Sequence, residues 1–87
     1  MKIKYHKNFE KKLKKLSLNS QDRVFESIRK FYKDPFDKNL RNHPLKGLMK
    51  DKRTFSVSSD MRIIFEEYDN YLLVIMLDLG SHSQVYK

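Results

Sequence analysis

Three short segments hold the side chains of this chain that could do chemistry. Asn42-His43-Pro44-Leu45-Lys46-Gly47 puts a His and a Lys in one irregular stretch. Arg53 to Phe65, RTFSVSSDMRIIF, spaces Asp60 and Arg62 two apart, so a period-two strand would set them on one face. Gly80 to Tyr86, GSHSQVY, carries His82 and Tyr86. Histidine titrates near neutrality and can take or give a proton there. Arginine offers a planar fork that matches phosphate oxygens, and tyrosine can stack on a base or donate from its hydroxyl. Arg62 is the only Lys or Arg between Arg53 and Lys87, so it calls for a specific partner: Asp60, Asp78 or a phosphate. Taken singly, each segment also fits a plain structural role. Pro44 and Gly47 shape a turn around a solvated His43, Asp60 and Arg62 form a surface pair, and His82 is structural.

Charge narrows the classes of partner. The chain of 87 residues has a formal net charge of +8. Residues 1–53 carry 17 basic and 6 acidic side chains, whereas residues 54–87 carry 2 and 5. A field of this sign attracts polyanions: nucleic acid, an anionic membrane face or an acidic protein. A solvated lysine face that only keeps the protein soluble would look the same. With no Cys, a disulfide scaffold, a thiolate metal site and a Cys nucleophile are excluded. The longest apolar run, Tyr71 to Leu77, is 7 residues, far short of the roughly 18 that a membrane span needs. The start, MKIKYHKNFEKK, lacks the apolar run of a secretory signal, so a reduced, cytoplasmic setting is expected.

The elements that must position these residues follow from periodicity. Ile3 and Tyr5 alternate with Lys2, Lys4 and His6, a short strand with one buried face. Phe9, Leu13 and Leu16 then recur at helical spacing, with Lys11, Lys12, Lys14 and Lys15 on the other side. Asn19 to Asp22 reads as the start of a second helix, whose stripe is Val24, Ile28, Phe31 and Tyr32 with Phe25 beside it. Asp34-Pro35 ends it. Residues 36–51 are polar and irregular. Beyond Lys52 the period is two: a strand through Phe55, a second from Asp60 to Glu67, a two-residue turn at Asp69-Asn70, and an apolar strand from Tyr71 to Leu79. Gly80 to Ser83 breaks it, leaving room for a last short strand at Gln84-Val85-Tyr86. The order β-α-α-β-β-β predicts one α+β domain over residues 1–87, a small antiparallel sheet with two N-terminal helices on one face.

The succession HPLKG, then R-x6-D-x-R-I-I-F, then L-G-S-H-S-x-V-Y resembles the RelE/ParE toxin superfamily, most nearly its YafQ-like mRNA interferases. The resemblance spans nearly the whole chain, and the family's fold has the same element order. It implies the toxin of a type II toxin–antitoxin system. Such a toxin cleaves mRNA, typically on the ribosome, by attack of a ribose 2′-hydroxyl on the adjacent phosphate, with no metal or cofactor. It implies that His43, Asp60 and His82 are acid–base groups, that Arg62 binds phosphate and that Tyr86 orients the substrate. Lys46, Arg53 (near a functional Lys of RelE) and the helix lysines Lys11, Lys12, Lys14 and Lys15 would contact RNA.

Three positions depart from the family pattern. Ser56 stands where YafQ-like toxins often carry a further His, Met61 replaces a Trp, and Asp78 replaces an Arg whose part Arg62 would take. The identity of the general base therefore stays open among the histidines and Asp60. A ParE-like inhibitor of gyrase is the main alternative, and a member that only binds RNA or its antitoxin is another. The acid–base cluster favours the nuclease, because ParE-type toxins generally lack it. The implied partners are an antitoxin with an acidic arm, mRNA and the ribosome, and no membrane. The toxin alone would be a monomer and would assemble into oligomers with its antitoxin.

Overall fold

A computed structural model describes residues 1–81. Strand β1 (Lys2–Tyr5) leads into helices α1 (Lys7–Lys15) and α2 (Leu18–Lys33). A short strand β2 (His43–Pro44) is followed by β3 (Arg53–Ser56), β4 (Met61–Tyr68) and β5 (Leu73–Ser81), with single 3₁₀ turns at Lys38–Leu40 and Gly47–Met49. Both helix starts have a side-chain cap. His6 Nδ1 accepts from the Asn8 amide at 3.1 Å, and Ser17 Oγ accepts from the Ser20 amide at 3.2 Å. These bonds satisfy amides that a helix start leaves free. Helix α2 thus starts before the expected Asn19–Asp22, because Ser17 supplies the oxygen. It ends at Asp34, ahead of Pro35, as expected.

The sheet order is β1-β5-β4-β3-β2. It is mixed rather than antiparallel, because β1 runs parallel to β5, with Ile3 opposite Val74. Periodicity shows which residues face inward but not which edge a strand joins, so this pairing lay beyond the sequence. Phe55, Ile63, Phe65, Val74, Met76 and Leu79 meet Phe9, Val24, Ile28 and Phe31 of the helices in one core. Tyr32 and Phe25, placed in or beside the helical stripe, lie outside it, at 57% and 50% exposure.

Two local features depart from simple alternation. Between Ile64 and Phe65 the β4–β5 register slips by one residue on β5, so that Val74, Met76 and Leu79 all reach the core. The hairpin loop is Asp69–Leu72 rather than two residues, with positive φ at Asp69 (55°), Asn70 (60°) and Tyr71 (69°). The turned Tyr71 ring packs near Phe36, Phe31 and Phe65, at centroid distances of 5.3, 6.0 and 6.2 Å. Burial of that ring against three others offsets the cost of a left-handed aromatic residue. Strand β5 also runs through Gly80 to Ser81, past the expected break. Residues 84–86, expected as a last strand, lie outside the described residues.

Candidate active site

Ladder register decides which candidates share a face. His43 is paired with Thr54, and Ser56 with Arg62, which in turn faces Gly80. Directly opposed residues project to the same side, and residues 54 and 56 alternate back to one face. His43, Ser56 and Arg62 therefore share the sheet face opposite the helices. Strand spacing puts the Cα atoms of His43 and Arg62 about 12 Å apart. That gap suits two side chains reaching toward a single nucleotide.

His43 is exposed, and its Nδ1 lies 2.7 Å from the Arg41 carbonyl oxygen. A carbonyl can only accept, so Nδ1 carries the hydrogen, and in the neutral ring the lone pair is on Nε2. Arg41 closes the Lys38–Leu40 turn in a left-handed conformation (φ 53°, ψ 44°). Leu40, buried in the core, anchors that turn. The ring's tautomer is therefore held by the backbone of a residue two positions earlier.

Arg62 Nη1 donates to Ser56 Oγ at 2.8 Å. Its Nε is buried and has no acceptor among the described residues. A buried N–H of this kind is uncommon, and a phosphate oxygen would satisfy it. Neither expected carboxylate partner engages Arg62. Asp78 pairs with Lys12 at 2.7 Å, and Asp60 accepts from Ser58 Oγ at 3.2 Å.

Asp60 is not a strand residue. It ends the turn before β4, where the Val57 and Ser58 amides both donate to the Met61 carbonyl, at 2.8 and 3.2 Å. It lines a groove of about 530 Å³ together with Lys12, Lys15, Met61 and Leu79. The strand expected from Asp60 therefore starts one residue later, at Met61. Lys11 and Lys14 are exposed elsewhere on α1. Arg53 is opposed to Phe65 and so lies on the helix side, away from His43. Its Nε donates to Asn42 Oδ1 at 2.9 Å, and its guanidinium carbon sits 5.9 Å from the Phe36 ring centroid. Lys46 is exposed in the concave loop beside His43. His82 and Tyr86 lie outside the described residues.

Asn42, Arg41 and Ser56 are contributors whose part the sequence did not reveal. The Asn42 amide donates to the Pro35 carbonyl at 3.0 Å and to the Tyr71 hydroxyl at 3.1 Å. With its bond from Arg53, it ties the loop before His43 to the sheet edge and the β4–β5 hairpin. Only its adjacency to His43 hinted at this. Farther along the Arg62 face, Lys52 lies 3.4 Å from Glu66 and 3.5 Å from Asp51. Desolvation works against the Lys52 charge. The hydrogen bond and charge of Glu66 outweigh it and hold the ammonium above the ordinary lysine pKa. The Tyr68 hydroxyl donates to Glu66 at 3.1 Å, and that bond raises the phenol above its usual value.

A family model described as the bacterial toxin of the type II toxin–antitoxin system, YafQ, matches residues 1–87. The chain belongs to the YafQ toxin family. The solution structure of the Helicobacter pylori protein HP0894 is similar at 30% identity, with a TM-score of 0.71, covering 95% of this chain and 96% of that one. A YoeB/ParE toxin from Agrobacterium tumefaciens has a TM-score of 0.77 at 15% identity, covering 94% and 99%. That likeness shows the fold alone. YafQ in the Escherichia coli DinJ–YafQ complex has a TM-score of 0.68 at 20% identity, covering 98% and 97%. Comparison with curated protein sequences gives no match. The α+β fold with a mixed five-stranded sheet is thus that of the RelE/YoeB-like toxins. The family assigns the toxin role and leaves the chemistry to the site.

Proposed function

We propose that the chain is an mRNA endoribonuclease toxin that acts on the ribosome in the cytoplasm and is neutralised by a cognate antitoxin. The observation that carries this reading is the shared sheet face of His43 and Arg62, one whose Nδ1 donates to a carbonyl and so leaves Nε2 as the acceptor of the neutral ring, the other with a buried Nε–H that has no acceptor among the described residues. His43 Nε2 takes the proton of a ribose 2′-hydroxyl. The 2′-oxygen then forms a bond to the adjacent phosphorus while the bond to the 5′-oxygen breaks. Arg62, oriented by Ser56, stabilises the negative charge that builds on the phosphate oxygens. An acid returns a proton to the leaving 5′-oxygen, giving a 2′,3′-cyclic phosphate and a 5′-hydroxyl end. Asp60 and His82 are the candidates for that acid, and Tyr86 for orienting the substrate. No step calls for a metal or a cofactor.

The DinJ–YafQ complex supports an antitoxin partner, and the basic half of the chain suits an acidic arm. Sequencing mRNA 5′-ends after induction tests the reading. Discrete new 5′-hydroxyl ends with translation arrest are expected. Intact mRNA with an SOS response would instead assign the chain to gyrase inhibition.

A further inference from the structure

Next to His43 the chain curls into a concavity of about 430 Å³ formed by residues 43–49. Its walls include Pro44, Leu45, Leu48 and Met49, with Lys46 among them and no carboxylate. Leu48 is fully exposed, at 103%. Gly47 makes the curl possible with φ +69°, and an added Cβ there would meet nothing within 4 Å. The glycine thus serves the backbone conformation rather than close packing.

We propose, on the ribonuclease reading above, that this concavity seats the nucleobase of the ribonucleotide whose 2′-hydroxyl His43 deprotonates. The 2′-hydroxyl and the base sit on adjacent ribose carbons. A base attached to that ribose must lie within one sugar of His43 Nε2, and His43 itself lines the concavity. Unpaired RNA bases are held by stacking on flat or apolar side chains, and a lysine without carboxylates nearby suits the flanking phosphates. The volume lies within the roughly 300–1,000 Å³ range of small-ligand sites. The lining would therefore set which nucleotide is cut, whereas Arg62 would act on any phosphate.

Two measurements on the full chain test this. The first is photocrosslinking to a pool of short single-stranded RNAs carrying 4-thiouridine, with the attachment sites mapped by mass spectrometry. Crosslinks within residues 44–49 are expected. The second maps 5′-ends in a translation extract for the wild type, Leu48→Glu and Leu48→Met. Leu48→Glu should lower cleavage at subsaturating RNA about tenfold and redistribute the cut sites, and Leu48→Met should restore the wild-type pattern. A folded Leu48→Glu with unchanged cut sites, or crosslinks confined to other segments of a cleaving protein, would overturn the proposal. So would loss of antitoxin binding in Leu48→Glu with cleavage intact, which would make the concavity a protein-docking surface. Crosslinks at 44–49 to RNA that stays uncut would sustain the base seat and remove the cleavage reading instead.

Discussion

Across the β3–β4 ladder the Arg62 guanidinium donates to the Ser56 hydroxyl at 2.8 Å, and no carboxylate of the described residues engages it. Through this bond Ser56 positions the arginine. A bidentate clamp on phosphate cannot be replaced by an ammonium, which lacks the fork. Arg62→Lys should cut mRNA cleavage by about 10²-fold or more, the scale of losing one oriented charge donor, with thermal stability and antitoxin binding nearly unchanged. Cleavage assays and melting curves on one preparation decide it, since parallel loss of stability would indicate a structural arginine.

His43→Gln keeps a polar side chain at the β2 edge but removes the proton acceptor. General acid–base groups contribute about 10²–10⁴-fold, so growth arrest on induction should be relieved while the circular dichroism spectrum stays native. His82→Ala should act likewise. Full toxicity in both folded variants would remove the acid–base scheme.

Asn42 joins three groups that lose a partner together when it is truncated: the Pro35 carbonyl, the Tyr71 hydroxyl and Arg53 Nε. Asn42→Ala should destabilise the fold by about 1–3 kcal/mol, the cost of leaving part-buried polar groups unpaired. Urea titration measures this. A midpoint equal to wild type would mean that water takes over these bonds without loss.

The lysines of α1 divide by position. Lys12 and Lys15 line the groove with Asp60, whereas Lys11 and Lys14 do not. If the groove carries RNA, Lys12→Glu with Lys15→Glu should flatten the salt dependence of binding by about 1.4 in log–log slope, two single-strand phosphate contacts. Reversal of Lys11 and Lys14 should change it less. Equal effects from both pairs would indicate a diffuse field rather than a track.

Lys52 is held above its ordinary pKa, chiefly by Glu66 acting against desolvation. A lysine whose folded pKa is raised contributes stability that is fully present below the unfolded value. That contribution is lost as pH rises through the higher folded value. Wild type and Glu66→Gln should therefore differ by roughly 0–1 kcal/mol at neutral pH and converge above about pH 10.5. Denaturant curves at pH 7 and at pH 11 check the sign. A gap that widens with pH would contradict it.

The two helices and the longer strands were legible from the chain because each was set by local periodicity: Phe9-Leu13-Leu16 for a helix, and Ile63 and Phe65 alternating with Arg62 and Ile64 for a strand; the two-residue strand β2, in the stretch read as irregular, is too short to show a period. The motif boxes carried the resemblance to the toxin family from residue types and order alone, whereas the charge split pointed only to a polyanionic partner. Three decisions needed tertiary structure. Whether β1 joins β5 in parallel depends on burying Ile3 beside Val74, a contact that spans the chain. Whether Asp60 belongs to β4 depends on where the turn ends, and the turn runs through Asp60. The tautomer of His43 is set by the Arg41 carbonyl, a backbone atom whose direction depends on a left-handed φ, so its state was written in conformation and not in residue type.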